Sequence, residues 1–182
     1  MKDREDILLH MPTISTLVST KKVILEIAPD FGNGSTRAIL NGISPEALWV
    51  SVDITDHISK DCRPKISNWF MVTGDSREPS TVNKVGKILK EKKADFIFID
   101  TIHDKDFLAK ELVAWSVLAD ENTVWTFHDT WMMGNYNPMT DAIKEFAIKN
   151  PQWMYADLSK ECNGFGALLP TNGLVTVEHD AT

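Results

Sequence analysis

Short apolar runs alternate along the chain with segments whose apolar residues recur every three or four positions. "KVILEIA" (22–28), "ALWVSVDI" (47–54), "WFMVTGDS" (69–76), "DFIFID" (95–100) and "TVWTFHD" (123–129) are rich in β-branched and aromatic residues and too short for helices, so they predict strands. Helical patterns lie between them at "STRAILNGI" (35–43), "TVNKVGKILKEKKA" (81–94), "DFLAKELVAWSVLA" (106–119) and "MTDAIKEFAIKN" (139–150). Ser80 is placed to cap the second helix, and Val82, Val85, Ile88 and Leu89 form its apolar stripe. Asn150-Pro151 stops the last one, because the residue before a proline resists the helical region. "WMYADLS" (153–159) and "FGALLP" (165–170) predict two final strands.

Strands that read as nearly continuous apolar runs, separated by helices, imply a mainly parallel sheet covered on both faces. The expected fold class is therefore α/β, a doubly wound sandwich. No repeat, low-complexity tract or long linker marks a second domain, so residues 1–182 read as one domain. Within it, 1–21 is an N-terminal helical segment, 22–170 the core and 171–182 a tail. Trp115 and Trp125 are expected in the core.

Composition narrows the function. A hydrophobic share of 43% and a charged share of 25% are ordinary for a globular chain, while a net charge of -7 offers no broad basic surface to nucleic acid. No apolar run approaches the roughly 18 residues of a membrane span, and "MKDREDILLHMP" lacks the layout of a signal peptide. A soluble, cytoplasmic protein with no membrane or nucleic-acid partner is the expectation. Cys62 and Cys162 have no paired spacing and read as buried or idle thiols.

In doubly wound sheets ligands sit outside the carboxyl ends of the strands, so the residues just beyond each strand carry the chemistry. The first strand leads into "PDFGNGST", where Gly32 and Gly34 permit tight turns and close approach to a ligand ahead of a helix N-terminus. The second ends at Asp53, placed to accept hydrogen bonds from both hydroxyls of a ribose. The third ends in Gly74-Asp75-Ser76, a further carboxylate at the same edge, for which a solvated turn is the plain alternative.

Taken in order, "VILEIAPDFGNGST", "VSVDI", "VTGDS", "DFIFIDTIH" and "TVWTFHDTW" resemble the successive motifs of class I S-adenosylmethionine-dependent methyltransferases. The resemblance spans roughly Lys22 to Pro170 and implies a Rossmann-like, mainly parallel seven-stranded sheet with an antiparallel strand near the C-terminus. It implies that Glu26, Ala28 and Gly32 hold the methionine part of the cofactor, Asp53 its ribose, and Asp75 with Ser76 its adenine. The pattern departs from the family at Ala28 and Asp30, which stand where the turn usually has glycines.

"FIDTIH" and "FHDT" are similar, more narrowly, to metal-dependent O-methyltransferases of the catechol and macrolide-sugar type. That similarity implies Asp100 as a metal ligand, His103 as the general base, and Asp129 with His128 as further ligands for a divalent cation, magnesium or manganese. The chemistry is coherent: a hydroxyl is a poor nucleophile until its proton is lost, and a cation and a histidine both promote that loss. An imidazole ligand suits manganese, iron or zinc better than magnesium, so a metal-free site with His103 or His128 as base stays open.

Plainer readings exist for each of these residues. Asp100 could cap the next helix, Asp104 and Asp106 could be first-turn acids, and His103 an ordinary loop residue. "TWMMGNYNPMT" (130–140) reads as a lid or acceptor wall, or else as core. The implied activity is methylation of oxygen on a small molecule or sugar. The short segment before "KVILEIA" leaves the acceptor site open to solvent, completed by a second copy in a homo-oligomer, or shaped for a larger substrate. The alternatives are a nicotinamide-dependent oxidoreductase, disfavoured by the missing G-x-G-x-x-G turn and Tyr-x-x-x-Lys pair, and a non-catalytic cofactor-binding module.

Overall fold

The structure, a computed structural model, describes residues 5–132 and 137–172. Chain order runs α1 (Glu5–Leu8), α2 (Met11–Val18), β1 (Val23–Ile27), α3 (Ser35–Gly42), β2 (Leu48–Asp53), β3 (Trp69–Thr73), α4 (Pro79–Leu89) and β4 (Phe96–Ile99). It continues through α5 (Lys105–Ser116), β5 (Val124–His128), α6 (Pro138–Lys149), β6 (Trp153–Ser159) and β7 (Phe165–Pro170). The seven strands form one sheet in the order β3-β2-β1-β4-β5-β7-β6. The β1–β2, β2–β3, β1–β4 and β4–β5 pairs are parallel, while β7 runs antiparallel to both β5 and β6. The predicted seven-stranded, doubly wound Rossmann-like architecture is the one observed.

Alternation along each strand sends successive side chains to opposite faces, and both faces are covered. Leu25, Ile27, Ile97, Ile99 and Trp125 pack with Val82, Val85, Leu108, Leu112, Trp115 and Ile143 on the side of α4, α5 and α6. Ile24, Trp49, Phe96 and Phe98 pack with Ile14, Val18, Ala38 and Ile39 on the side of α2 and α3. Trp115 and Trp125 are fully buried, as expected. The α2 and α3 helices approach so closely that a Cβ on Gly42 would stand 2.1 Å from the Ser15 carbonyl oxygen.

Two local expectations are corrected. Ser80 does not cap α4: the helix opens with Pro79 at its first position, and the residue before it, Glu78, makes no side-chain cap. Proline's fixed φ and missing N–H suit that first turn, which moves Ser80 inside the helix. The pattern also runs on to Ala94, but α4 stops at Leu89 because Lys90 and Glu91 turn into the left-handed region at φ 52° and 69°. That turn brings the Ala94 N–H onto the Leu118 carbonyl, 2.8 Å away, and sets the entry of β4. Neither thiol is buried: Cys62 is half-buried and Cys162 exposed, both free. No helix among the described residues is long and apolar enough to cross a membrane.

Candidate active site

The strand order reverses between β1 and β4, and a cavity of about 1210 Å³ opens there at the carboxyl edge of the sheet. Its wall takes residues from the ends of five strands, β1 to β5, and Ile7 and Leu8 of α1 close one side. The volume suits a nucleoside-sized cofactor with an acceptor beside it.

The turn after β1 keeps a glycine-like path without the glycines. Ala28, Asp30 and Gly32 all have positive φ, at 61°, 50° and 83°. Ala28 and Asp30 line the cavity, and Asp30 is exposed. A left-handed alanine costs about 1 kcal/mol, whereas aspartate tolerates the region better. Ala28→Gly is therefore expected to stabilise the fold by about 1 kcal/mol in urea denaturation, with Asp30→Gly near neutral. A stability loss in Ala28→Gly would contradict the strained turn.

Two residues expected to touch the cofactor stand behind the wall instead. Gly32 does not line the cavity; a Cβ there would meet Cys62 Cβ at 3.0 Å and Ile58 Cγ2 at 3.1 Å, so its missing side chain serves packing under the turn. Glu26 is fully buried in β1 and also absent from the wall. Its carboxylate accepts hydrogen bonds from the hydroxyls of Ser35 (2.7 Å), Thr36 (2.8 Å) and Ser51 (2.7 Å). Burial raises its pKa against the lowering effect of those hydroxyls. Glu26 thus ties the first turn of α3 to β1 and β2, and holds the turn from beneath.

Asp53 and Asp75 do line the cavity. Asp53 is half-buried; burial raises its pKa, opposed by backbone N–H groups that include Ile54, 2.6 Å away. Asp75 accepts from Arg77 three times, from the backbone N–H (2.9 Å), Nε (3.0 Å) and Nη2 (2.6 Å). Those bonds hold its carboxyl at about 2. Arg77 in turn lies over the Phe107 ring, 4.2 Å from its centroid.

At the ends of β4 and β5 four titratable residues converge. His103 Nε2 is 2.7 Å from Asp129 Oδ2; His128 Nδ1 is 3.2 Å from the same oxygen and 3.5 Å from Asp100 Oδ2. The hydrogen bond that His103 donates to Asp129 raises the His103 pKa, against some burial. Burial would lower His128, but Asp100 and Asp129 outweigh it and push it up to about 10. Burial would raise Asp129, but hydrogen bonds from both histidines hold it below the usual carboxylate range. Asp129 also sits at φ 58°, a left-handed conformation uncommon outside glycine.

One ligand atom each from Asp100, His103 and Asp129 lies within 4.8 Å of the others, a spacing that one cation could span. Asp129 Oδ1 is buried with no hydrogen-bond partner among the described residues, so a lone pair is left for such an ion. His128 is not in that group. It is the last residue of β5, packed edge-on against His10 with ring centroids 5.6 Å apart, and presents Nδ1 to the carboxylates. Asp104, not Asp100, caps α5, accepting from the Phe107 N–H at 2.8 Å.

The family described as rhamnosyl O-methyltransferase/CmcI matches residues 5–172. The chain belongs to that family. S-adenosylmethionine-dependent O-methylation is the activity class that the strand-end motifs implied. A search of curated protein sequences gave no match. Among solved structures, the O-methyltransferase from Bacillus cereus in complex with SAH is 19% identical, with a TM-score of 0.59 over 92% of this chain and 80% of that one. TomG from Streptomyces achromogenes, in complex with SAM, is 13% identical, with a TM-score of 0.61 over 92% and 79%. MycE of the mycinamycin pathway, with Mg, SAH and mycinamycin VI, is 10% identical with a TM-score of 0.59; this chain spans 93% of itself but 51% of MycE. At these identities the likeness shows the fold.

Several residues of this O-methyltransferase site have no signal in the strand-end motifs. Ile7 and Leu8 reach the cavity from the N-terminal segment, and Arg77 holds Asp75. Glu111 in α5 is fully buried behind the wall. Its signal was present: Leu108, Glu111, Leu112 and Trp115 form one helical stripe, all buried, with a carboxylate among apolar residues. Segment 130–140 is open to two readings in the sequence, a lid or acceptor wall and core, and Thr130, Asn137, Met139 and Thr140 are buried. Its described ends, 130–132 and 137–140, do not line the cavity, and 133–136 lie outside the described residues.

Proposed function

We propose that the protein methylates a hydroxyl of a small-molecule or sugar acceptor, with His103 as general base. The observation that carries this reading is the His103–Asp129 contact of 2.7 Å in the same cavity as Asp53 and Asp75. Bound S-adenosylmethionine would supply an electrophilic methyl carbon, which passes to the acceptor oxygen as the carbon–sulfur bond breaks. With Nε2–H donated to Asp129, His103 keeps Nδ1 as the lone-pair nitrogen, which takes the acceptor's proton. Asp129 fixes that tautomer and stabilises the imidazolium. Asp53 and Asp75, at the far end, position the nucleoside.

The sugar acceptor is favoured by the family's rhamnosyl description. The donor set of Asp100, His103 and Asp129 would fit a divalent cation, and manganese, iron or zinc better than magnesium; such an ion would lower the acceptor hydroxyl's pKa, with His103 then its ligand and not the base. A second, metal-free reading is favoured by His128 Nδ1, which already faces both carboxylates as a cation would.

Calorimetry with S-adenosylmethionine and NADH, followed by mass spectrometry of a glycoside and phenol panel, tests the proposal. Heat with NADH alone sinks it, as does cofactor binding with no methylated acceptor. Activity that survives EDTA selects the metal-free form.

A further inference from the structure

Glu111 has no solvent exposure and yet meets two residues of the cavity wall. Ser76, in the loop after β3, donates its hydroxyl to Glu111 Oε1. Thr101, directly after β4, donates its hydroxyl to Oε2 at 2.5 Å. Ser76 and Thr101 both line the cavity, and Glu111 does not. One carboxylate on α5 therefore draws in the protons of two wall hydroxyls from separate loops.

Hydrogen-bond inventory gives this arrangement a consequence. A hydroxyl has one proton and two lone pairs, so once the proton points inward it can offer the cavity lone pairs alone. Asp75, the nearby carboxylate, already accepts three bonds from Arg77, two on Oδ1 and one on Oδ2, and so offers the cavity about one lone pair of its own. We propose that Glu111 is a positioning residue that fixes Ser76 and Thr101 as hydrogen-bond acceptors toward the cavity. This end of the cavity then selects a nucleobase bearing an exocyclic amino group over one bearing an oxo group. The inference rests on the placement of the cofactor's nucleoside at Asp53 and Asp75, and adds to it the group that sets base selectivity.

Protonation of Glu111 reverses the arrangement. A protonated carboxyl donates to one of the two hydroxyls, and that hydroxyl's proton becomes free to turn into the cavity. Burial raises Glu111 to about 7, opposed by the Ser76 and Thr101 hydroxyls. The charged groups facing it are Arg77, which favours the ionised form, and Asp75, which disfavours it, both from the loop after β3. Because burial raises Glu111, the fold loses stability as pH rises from the usual carboxylate range to about 7, above which the ionised form predominates.

The test is calorimetry of the full chain with S-adenosylhomocysteine and S-inosylhomocysteine at about pH 6 and about pH 8. Wild type is expected to bind the adenosyl compound up to about tenfold more tightly at the higher pH, the limit for one proton titrating near 7, and to prefer it to the inosyl compound there. E111Q, whose amide must donate to one hydroxyl at every pH, is expected to bind about tenfold more weakly at pH 8, with the pH dependence and the base preference both lost. It should also melt no lower than wild type at that pH, whereas a merely structural role predicts a lower melting point. Ser76→Ala, which leaves α5 untouched, should lose the same preference. A variant E111Q that keeps the wild-type pH slope and preference overturns the inference. No heat from wild type with either compound would instead overturn the placement of the nucleoside.

Discussion

Asp129→Asn is expected to lower kcat by about 10³-fold while S-adenosylhomocysteine affinity stays within about threefold of wild type. The carboxylate oxygen that meets His103 Nε2 at 2.7 Å is also 3.2 Å from His128 Nδ1, so one side chain orients both imidazoles. An amide of the same shape cannot stabilise the imidazolium that forms when His103 takes the acceptor's proton, and it can hold the ring in the wrong tautomer. The nucleoside end of the cavity, at Asp53 and Asp75, belongs to other strands and is left intact. Single-turnover methyl transfer read by mass spectrometry, beside calorimetry of cofactor binding, separates the two effects. A kcat within tenfold of wild type would remove Asp129 from the chemistry.

Glu26→Ala is expected to destabilise the fold by about 3–5 kcal/mol. Three hydroxyls, on Ser35, Thr36 and Ser51, converge on this carboxylate with no solvent exposure, and the alanine leaves them without this acceptor, each at the low end of about 1–3 kcal/mol because a hydroxyl can rotate toward another partner. The midpoint of thermal unfolding should fall by roughly 10 °C for a chain of this size. Glu26→Gln keeps one carbonyl oxygen and should lose much less. Cofactor affinity should fall with the alanine, because Ser35 and Thr36 anchor the first turn of α3 against β1. If Glu26→Ala unfolds at the wild-type midpoint while cofactor binding is abolished, Glu26 touches the cofactor directly and the structural account of it is wrong.

Much of the fold was legible because its signals are local. Apolar runs at Val23–Ile27, Phe96–Ile99 and Val124–His128 predict buried strands whatever surrounds them, and the last two strands matched residue for residue at Trp153–Ser159 and Phe165–Pro170. Helix ends were less legible, since Pro79 takes the first turn of α4 and the left-handed Lys90 ends the helix where the chain turns toward β4. At the site, Asp53, Asp75, Ser76, Asp100, His103, His128 and Asp129 all reach one cavity, because parallel strands deliver their carboxyl ends to one edge. Glu26 and Gly32 did not reach it. Adjacency to a ligand turn does not say which way a side chain faces, and Glu26 lies on a strand buried over its whole length.

By itself the sequence determined the layered α/β architecture, the edge on which chemistry gathers and the residue types available there, since periodicity and strand-end composition are properties of short segments. The tertiary structure alone decided the partnerships. Asp129 has a positive φ just after β5, His103 meets it from the loop after β4, and His128 at the end of β5 meets both Asp129 and Asp100. Glu111 acquires its role only when α5 packs against the loops after β3 and β4. Hydrogen bonds act over about 3 Å between residues that can be far apart in the chain. Which donor meets which acceptor is therefore fixed by packing across the sheet, not by spacing along it.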